Sequence, residues 1–204
     1  GSQECRRPAH PPLVQGRRHL ALPVVLEGER VRLVPLEAKH EDELWAVAQD
    51  ERVWTLMRWS GHESRELFHE WFESVDMGFL HYFDGELVGH TSYLNARADD
   101  RVVEIGNTWV TPAAWGTGAN TEAKYLLLRH ALEDEGLHRV EFKTDAKNGR
   151  SRAALAALPA TFEGVFRKHM VVRGGERRDS AWYAVLDDDW PVVKANLERR
   201  LPTT

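Results

Sequence analysis

A chain of 204 residues with 42% hydrophobic and 29% charged residues has the size and composition of one soluble domain with room for a short tail. A net charge of −5 gives no electrostatic case for general nucleic-acid binding. No apolar run approaches the ~18 residues of a membrane span, and the single cysteine, Cys5, allows no intrachain disulfide and fits a reducing cytoplasm.

From the N-terminus, residues 1–23 mix Pro and Arg without a sustained apolar period, and Gly1-Ser2 reads as a cloning remnant. A disordered tail over 1–23 and one folded domain over 24–204 are expected. "RVRLVPL" (30–36) alternates as a strand does. "KHEDELWAVAQ" (39–49) has helical spacing, and "SRELFHEWFESV" (64–75) carries Leu67, Phe68, Trp71, Phe72 and Val75 on one stripe. "GFLHYF" (78–83), Asp84-Gly85 and "ELVGHTSYL" (86–94) form a hairpin pattern. "RVVEIGNTWVT" (101–111) is the next strand. A glycine loop and a helix ending at Gly136 follow. Then come a strand (138–145), a short helix (148–158), a second hairpin (161–172 and 178–186, turning at Gly174-Gly175) and a terminal helix (187–201) with Pro191 in its first turn. The order β-α-α-β-β-β-α-β-α-β-β-α predicts one mixed α/β layer with an antiparallel start.

The stretch "VTPAAWGTGANTEAKYLLLRHAL" (110–132) runs strand, glycine loop, helix start. That is the layout of a phosphate-binding turn, because the free N–H groups and dipole of a helix N-terminus favour an anion. Three readings compete. A P-loop needs Gly-Lys-Ser/Thr from its sixth position, and counting from Gly116 that position is Thr121, followed by Glu122. A dinucleotide fingerprint loses its third glycine to Thr121 and lacks a preceding βαβ unit. The pyrophosphate arm of coenzyme A remains. Asn120 reads as the N-cap of the helix. No His-Glu-x-x-His or Cys/His cluster implies a metal.

At this point the chain resembles the GNAT acyltransferase superfamily, in the branch of ribosomal-protein N-terminal (α-amino) acetyltransferases, over roughly residues 26–201. The carriers are "LEGERVRLVPLEAKHEDEL", "VEIGNTWVTPAAWGTGANTEAKYLLLRHAL", "LHRVEFKTDAKNGRSRAAL" and "EGVFRKHMVVRGGERRDSAWYAVLDDDWPVVK". The resemblance implies a single α/β (α+β) domain, with a mostly antiparallel mixed sheet of about seven strands flanked by helices and a splayed central strand pair. It implies acetyl-CoA as cofactor and transfer of its acetyl group to a primary amine in a ternary complex. The acceptor is a protein N-terminus or a small molecule, with no nucleic acid or membrane partner.

It also assigns roles. Backbone N–H groups of Trp115, Gly116, Thr117, Gly118, Ala119 and Asn120 hold the pyrophosphate. Trp109 and Val110 align the pantetheine, and the Val110 N–H faces the reacting carbonyl. Asn148 and Ser151, from Asn-x-x-Ser, hold the pantetheine and approach the sulfur, Ser151 as proton donor. Glu104 is the first candidate base, with Tyr93 and His90 behind it. Trp54, Trp59 and Tyr93 border the acceptor, and Phe72 lies in the same region. Trp115 and Asn120 depart from the family loop, and Pro159 replaces a glycine after the short helix (148–158), which requires a different helix exit. Those departures motivate the alternative of a non-catalytic coenzyme A- or partner-binding protein. A nucleotide-dependent enzyme rests on the glycine loop alone. The acceptor and the oligomeric state, a homodimer included, stay open.

Overall fold

The computed structural model describes residues 23–201. The expected tail falls outside that range except for Pro23.

The strands are β1 (Leu26–Glu27), β2 (Val31–Pro35), β3 (Met77–Phe83), β4 (Glu86–Arg97), β5 (Val102–Val110), β6 (Arg139–Asp145), β7 (Thr161–Val171) and β8 (Arg177–Leu186). They form one eight-stranded sheet in the order β1-β2-β3-β4-β5-β6-β8-β7. Every neighbouring pair is antiparallel except β5 and β6. The seven expected strands are present. The eighth, β1, is a two-residue strand, too short to display a period. The β3–β4 hairpin turns through Asp84 (φ 51) and Gly85 (φ 84), the pair of left-handed residues that a two-residue turn requires.

Strand alternation sends successive side chains to opposite faces, and helices cover both. On one face lie α1 (Glu41–Val47), entered through a 3-10 turn, α2 (Glu51–Trp54) and α3 (Arg65–Glu73). They bury Leu44, Trp54, Phe68, Trp71 and Phe72 against Leu80 and Trp109. Buried rings of this size are worth about 3–5 kcal/mol each on truncation to alanine. The α2 turn was invisible to periodicity because it spans four residues. Its start is fixed by the Asp50 side chain, which accepts the Arg52 N–H at 2.9 Å. Ser64 caps α3 in the same way, through the Leu67 N–H at 3.2 Å.

The other face carries α4 (Ala119–Arg129) and α6 (Trp190–Glu198), whose Leu126, Leu127, Val193 and Leu197 join Leu33, Phe79, Val103 and Val140. A π-helical turn, His130–Asp134, continues α4 toward Gly136 (φ 60), the expected stop. The remaining helix, α5 (Gly149–Ala157), ends beside Pro159 without a left-handed glycine. The Ala160 N–H donates to Leu155 O at 3.1 Å, and Arg200 caps Ala157 O at 2.9 Å.

Candidate active site

The two halves of β5 have different partners. Val102, Val103 and Glu104 pair with Arg139, Val140 and Glu141 of β6, and the parallel ladder stops there. From Gly106 to Val110, β5 pairs with β4 alone. The divergence starts at a bulge. The register runs Ser92↔Gly106 and then His90↔Trp109, so β5 carries one residue too many. Asn107 absorbs it at φ 52. Two buried neighbours hold this left-handed asparagine. His90 Nδ1 lies 3.0 Å from Asn107 O, and Trp71 Nε1 donates to Asn107 Oδ1 at 3.2 Å. Gly89 lets the diverging strand pass, since a Cβ there would overlap Trp109 O and crowd Val110 Cα at 2.8 Å.

The bulge also decides which backbone groups face the gap. The Thr111 N–H donates to Val88 O at 2.7 Å, making 88 and 111 a hydrogen-bonded pair. Antiparallel pairs alternate, so Val110, opposite Gly89, turns its N–H and C=O away from β4 and into the gap. Trp109, opposite His90, turns its backbone toward β4 instead. Of the two residues expected to face the cofactor by backbone, only Val110 does so. Trp109 contributes its ring to the wall.

The gap opens into a cleft of about 1340 Å³. At one end is the glycine loop. Gly116 (φ 75) and Gly118 (φ 94) are both left-handed, and the space beside each is open. The N–H groups of Gly116, Gly118, Asn120 and Thr121 find no acceptor among the described residues. Trp115 bonds Val110 O through Nε1 at 3.0 Å, and its ring lies under the guanidinium of Arg150 at 4.2 Å, with that of Arg52 at 5.7 Å. Thr117 Oγ1 donates back to Ala114 O at 2.8 Å, closing the turn. The N-cap of α4 is Gly118, not Asn120. Asn120 sits inside the first turn and lines the cleft, where its buried Oδ1 has no partner. Ala119 is fully buried and outside the lining, so any contribution from it is backbone. The N-terminus of α5 points into the same cleft. Asn148 Oδ1 caps it by accepting the Ser151 N–H at 3.0 Å, and the half-buried Ser151 hydroxyl stays uncommitted beside it.

At the other end lies Glu104, 1% exposed. Its Oε2 accepts from Lys143 Nζ at 2.8 Å and from Asn95 Nδ2 at 2.8 Å. Its Oε1 has no donor among the described residues, and Gly106 keeps that side open, since a Cβ there would come within 3.1 Å of it. Trp59 lines this end, with Leu56, Met57 and Met170.

Three expected site residues do not reach the cleft. Trp54 is fully buried, with Nε1 spent on Ala48 O at 2.7 Å. Tyr93 is fully buried, with its hydroxyl spent on Leu127 O at 2.6 Å, and burial pushes its pKa well above the ordinary value. His90 is buried behind Trp109, and desolvation lowers its pKa to about 4, so it is a neutral ring that braces the bulge. Phe72 is also core. Position along the chain, which puts Trp54 and Tyr93 near the acceptor, does not tell which side of a wall a ring faces.

The sequence reading missed the charge of the cleft. Nine of its described lining side chains are Arg or Lys, and Glu104 is the one acid. The net charge of −5 conceals this, because the cations come from segments far apart in sequence. Lys124 on α4 is an example. It lies 5.4 Å from the Phe142 ring, and desolvation lowers its pKa to about 8. Its only sequence signal is a basic residue near the start of an otherwise apolar helix stripe. A basic cleft, two helix N-termini, a loop of unpaired N–H groups and a strand edge free to bond an extended amide chain together fit acetyl-CoA. The unpaired N–H groups of the loop suit its phosphate end, and the Val110 edge suits its pantetheine.

Comparison with known proteins agrees with this geometry. The profile of the acetyltransferase (GNAT) domain matches residues 30–160. An N-acetyltransferase of Bacillus subtilis (strain 168), the uncharacterized YnaD, is 28% identical over 105 residues, which are 51% of this chain and 59% of that relative. The match thus spans less than two thirds of its length. A GCN5-related N-acetyltransferase from Brucella melitensis superposes with a TM-score of 0.81 at 31% identity, covering 90% of this chain and 86% of that one. Mycobacterium smegmatis RimJ, solved with CoA-disulfide, shares the fold, with a TM-score of 0.73 at 21% identity over 87% of this chain and 95% of its own.

Proposed function

Since the chain belongs to the GNAT family of N-acetyltransferases, we propose that it transfers the acetyl group of acetyl-CoA to a primary amine, the α-amino group of a peptide or protein, in the cytoplasm. The observation that carries this reading is the gap beside the upper half of β5. It joins a loop of unpaired N–H groups to a buried carboxylate with one free oxygen.

Acetyl-CoA supplies an acyl thioester with a good leaving group. The chain's residues do the rest. Gly116, Gly118, Asn120 and Thr121 offer backbone donors to phosphate, backed by Arg150 and Arg52 around Trp115. The Val110 N–H offers a donor to a carbonyl oxygen as negative charge grows on it. Ser151 Oγ delivers a proton to sulfur. Glu104 Oε1 orients the incoming ammonium and takes its proton, directly or through water. The bulge at Asn107 shortens the path from Glu104 to Val110 below that of a straight strand. An α-amine suits a site with one acid, because its pKa of about 7.7–8.0 lies more than two units below that of lysine. The ribosomal-protein branch is part of this proposal and rests on the sequence resemblance; RimJ shares the fold. None of the described helices is long and apolar enough to cross a membrane.

The test is thiol release from acetyl-CoA across a panel of peptides, lysine derivatives and small amines, beside calorimetric titration with acetyl-CoA, NAD and ATP. Turnover with free peptide N-termini is expected. Binding of acetyl-CoA without thiol release on any amine would replace catalysis by the non-catalytic reading.

A further inference from the structure

Two cations in the cleft have no assigned work. Arg58, from the loop after α2, and Arg178, on β8, both line it on the Glu104 side. Neither makes an ion pair among the described residues. Arg58 lies 5.9 Å from the Trp59 ring, and Arg178 donates only to Ser180 Oγ, at 3.2 Å. Arg178 is half-buried, and loss of water lowers its pKa. The charges of Asp145 and Glu104 act against that shift, and Arg58 is close enough to add to it. The chain therefore lines one cleft with two guanidinium groups, one of them partly desolvated, and gives neither an ion pair among the described residues. Leaving such charges unpaired has a cost that a bound anion would offset. The other acid of this corner, Glu104, has its Oε2 committed to Lys143 and Asn95.

We infer that the acceptor is an aminocarboxylate, whose carboxylate is held by Arg58 and Arg178 while its amine meets Glu104 Oε1; this rests on the acetyltransferase reading of the same cleft. A guanidinium presents a planar fork of donors that matches a carboxylate with two parallel hydrogen bonds. Opposite charges separated across one pocket fix the direction of a small zwitterion, or of a peptide with an acidic side chain near its N-terminus. The apolar wall of Met57, Trp59 and Met170 leaves room for the carbon chain between them.

Binding can be measured apart from turnover. Protein saturated with coenzyme A is titrated calorimetrically with N-acetylglutamate and N-acetylglutamine amide, and with acetyl-Ala-Glu-Ala amide and acetyl-Ala-Gln-Ala amide. One acidic probe should bind about 10- to 100-fold tighter than its neutral partner, the size of a charge-assisted hydrogen bond. Which pair shows the preference separates a free amino acid from a peptide. The preference should fall to within about threefold in the Arg58→Gln, Arg178→Gln double variant. Arg58→Gln alone, at an exposed position, should halve its logarithm and guards against misfolding of the double variant. Equal binding within both pairs, no measurable binding of either acidic probe, or a preference that survives both substitutions overturns the inference. A charge-dependent preference without thiol release on any amine would leave the carboxylate site standing and remove the catalytic reading.

Discussion

The two ends of the cleft are built in opposite ways. The loop end is made of backbone: a contiguous run from Thr111 to Thr121, two left-handed glycines and N–H groups without protein acceptors. The Glu104 end is made of side chains, drawn from Arg58, Asn95, Glu104, Lys143 and Arg178 on different elements. Backbone donors recognise phosphate whatever the neighbouring side chains are, so Trp115 and Asn120 can depart from the family pattern. Side-chain recognition changes with each substitution, and this is the end where relatives of one fold can choose different acceptors.

A substitution between the two ends should have the largest effect. Gly89→Val would drive a branched side chain into Trp109 O and Val110 Cα, where the neighbour is backbone and cannot yield. A loss of roughly 3 kcal/mol or more in urea unfolding is expected, with both ends impaired. Gly116→Trp should act on the loop end alone. It places a bulky residue at φ 75, a conformation costing ~1–2 kcal/mol for a side chain, and blocks the approach to the free N–H groups. Acetyl-CoA affinity should fall more than about 10-fold, since losing one charge-assisted hydrogen bond to phosphate costs about 1.5–3 kcal/mol. Unchanged affinity by calorimetry would put the phosphate elsewhere.

Glu104→Gln should act on the other end alone. Turnover at neutral pH should fall about 10- to 100-fold, within the range of general-base effects. Acetyl-CoA affinity should stay, and part of the rate should return as pH rises and more amine is neutral. A pH–rate profile like that of wild type would remove Glu104 from proton transfer. Ser151→Ala should be milder, about 10-fold in turnover, because a thiolate leaves readily without acid help. Its melting temperature should not move, since the cap runs from Asn148 Oδ1 to a backbone N–H that alanine keeps. Wild-type turnover would reduce Ser151 to a helix position.

The smallest effect concerns acid. Burial holds the pKa values of His81 and His90 at about 4, against an ordinary 6.5. Between those values the unfolded chain binds protons that the folded chain refuses, so stability falls as pH drops from about 6.5 to 4 and levels off below. At His81 the loss of water outweighs the opposing effect of the Ala119 backbone. His81→Leu should therefore flatten part of that slope in thermal melts without disturbing either end of the cleft. An unchanged slope would assign the acid sensitivity to other groups.

The same contrast explains what the sequence made legible. Seven strands, the Asp84-Gly85 turn, the Asn148 cap and the glycine loop are local patterns, readable within a dozen residues. The phosphate end inherits that locality. The N-cap at Gly118 rather than Asn120 was missed because both residue types serve there, and the φ of 94 decided it. The Glu104–Lys143 pair joins positions 39 apart, and Arg58 and Arg178 line one cleft from a longer span still. Neither pairing leaves a periodic trace. Trp54 and Tyr93 were misassigned for a related reason: each belongs to a buried face that only the bulge at Asn107 and the packing of α2 and α3 define.

Arg173, in the turn between β7 and β8, donates to Ser60 Oγ and to Thr55 O, the latter at 3.2 Å, and stands 3.7 Å from Glu63. This one side chain closes a loop of more than a hundred residues and ties the two walls of the Glu104 end together. Synthesis proceeds from the N-terminus, so β5, the glycine loop and Ser151 are made before Arg173 and Arg178. The residues of the glycine loop all precede Arg173, while the Glu104 end also draws on Arg178 from the last thirty or so residues. The C-terminal hairpin must therefore be complete before the wall that carries Arg178 can form.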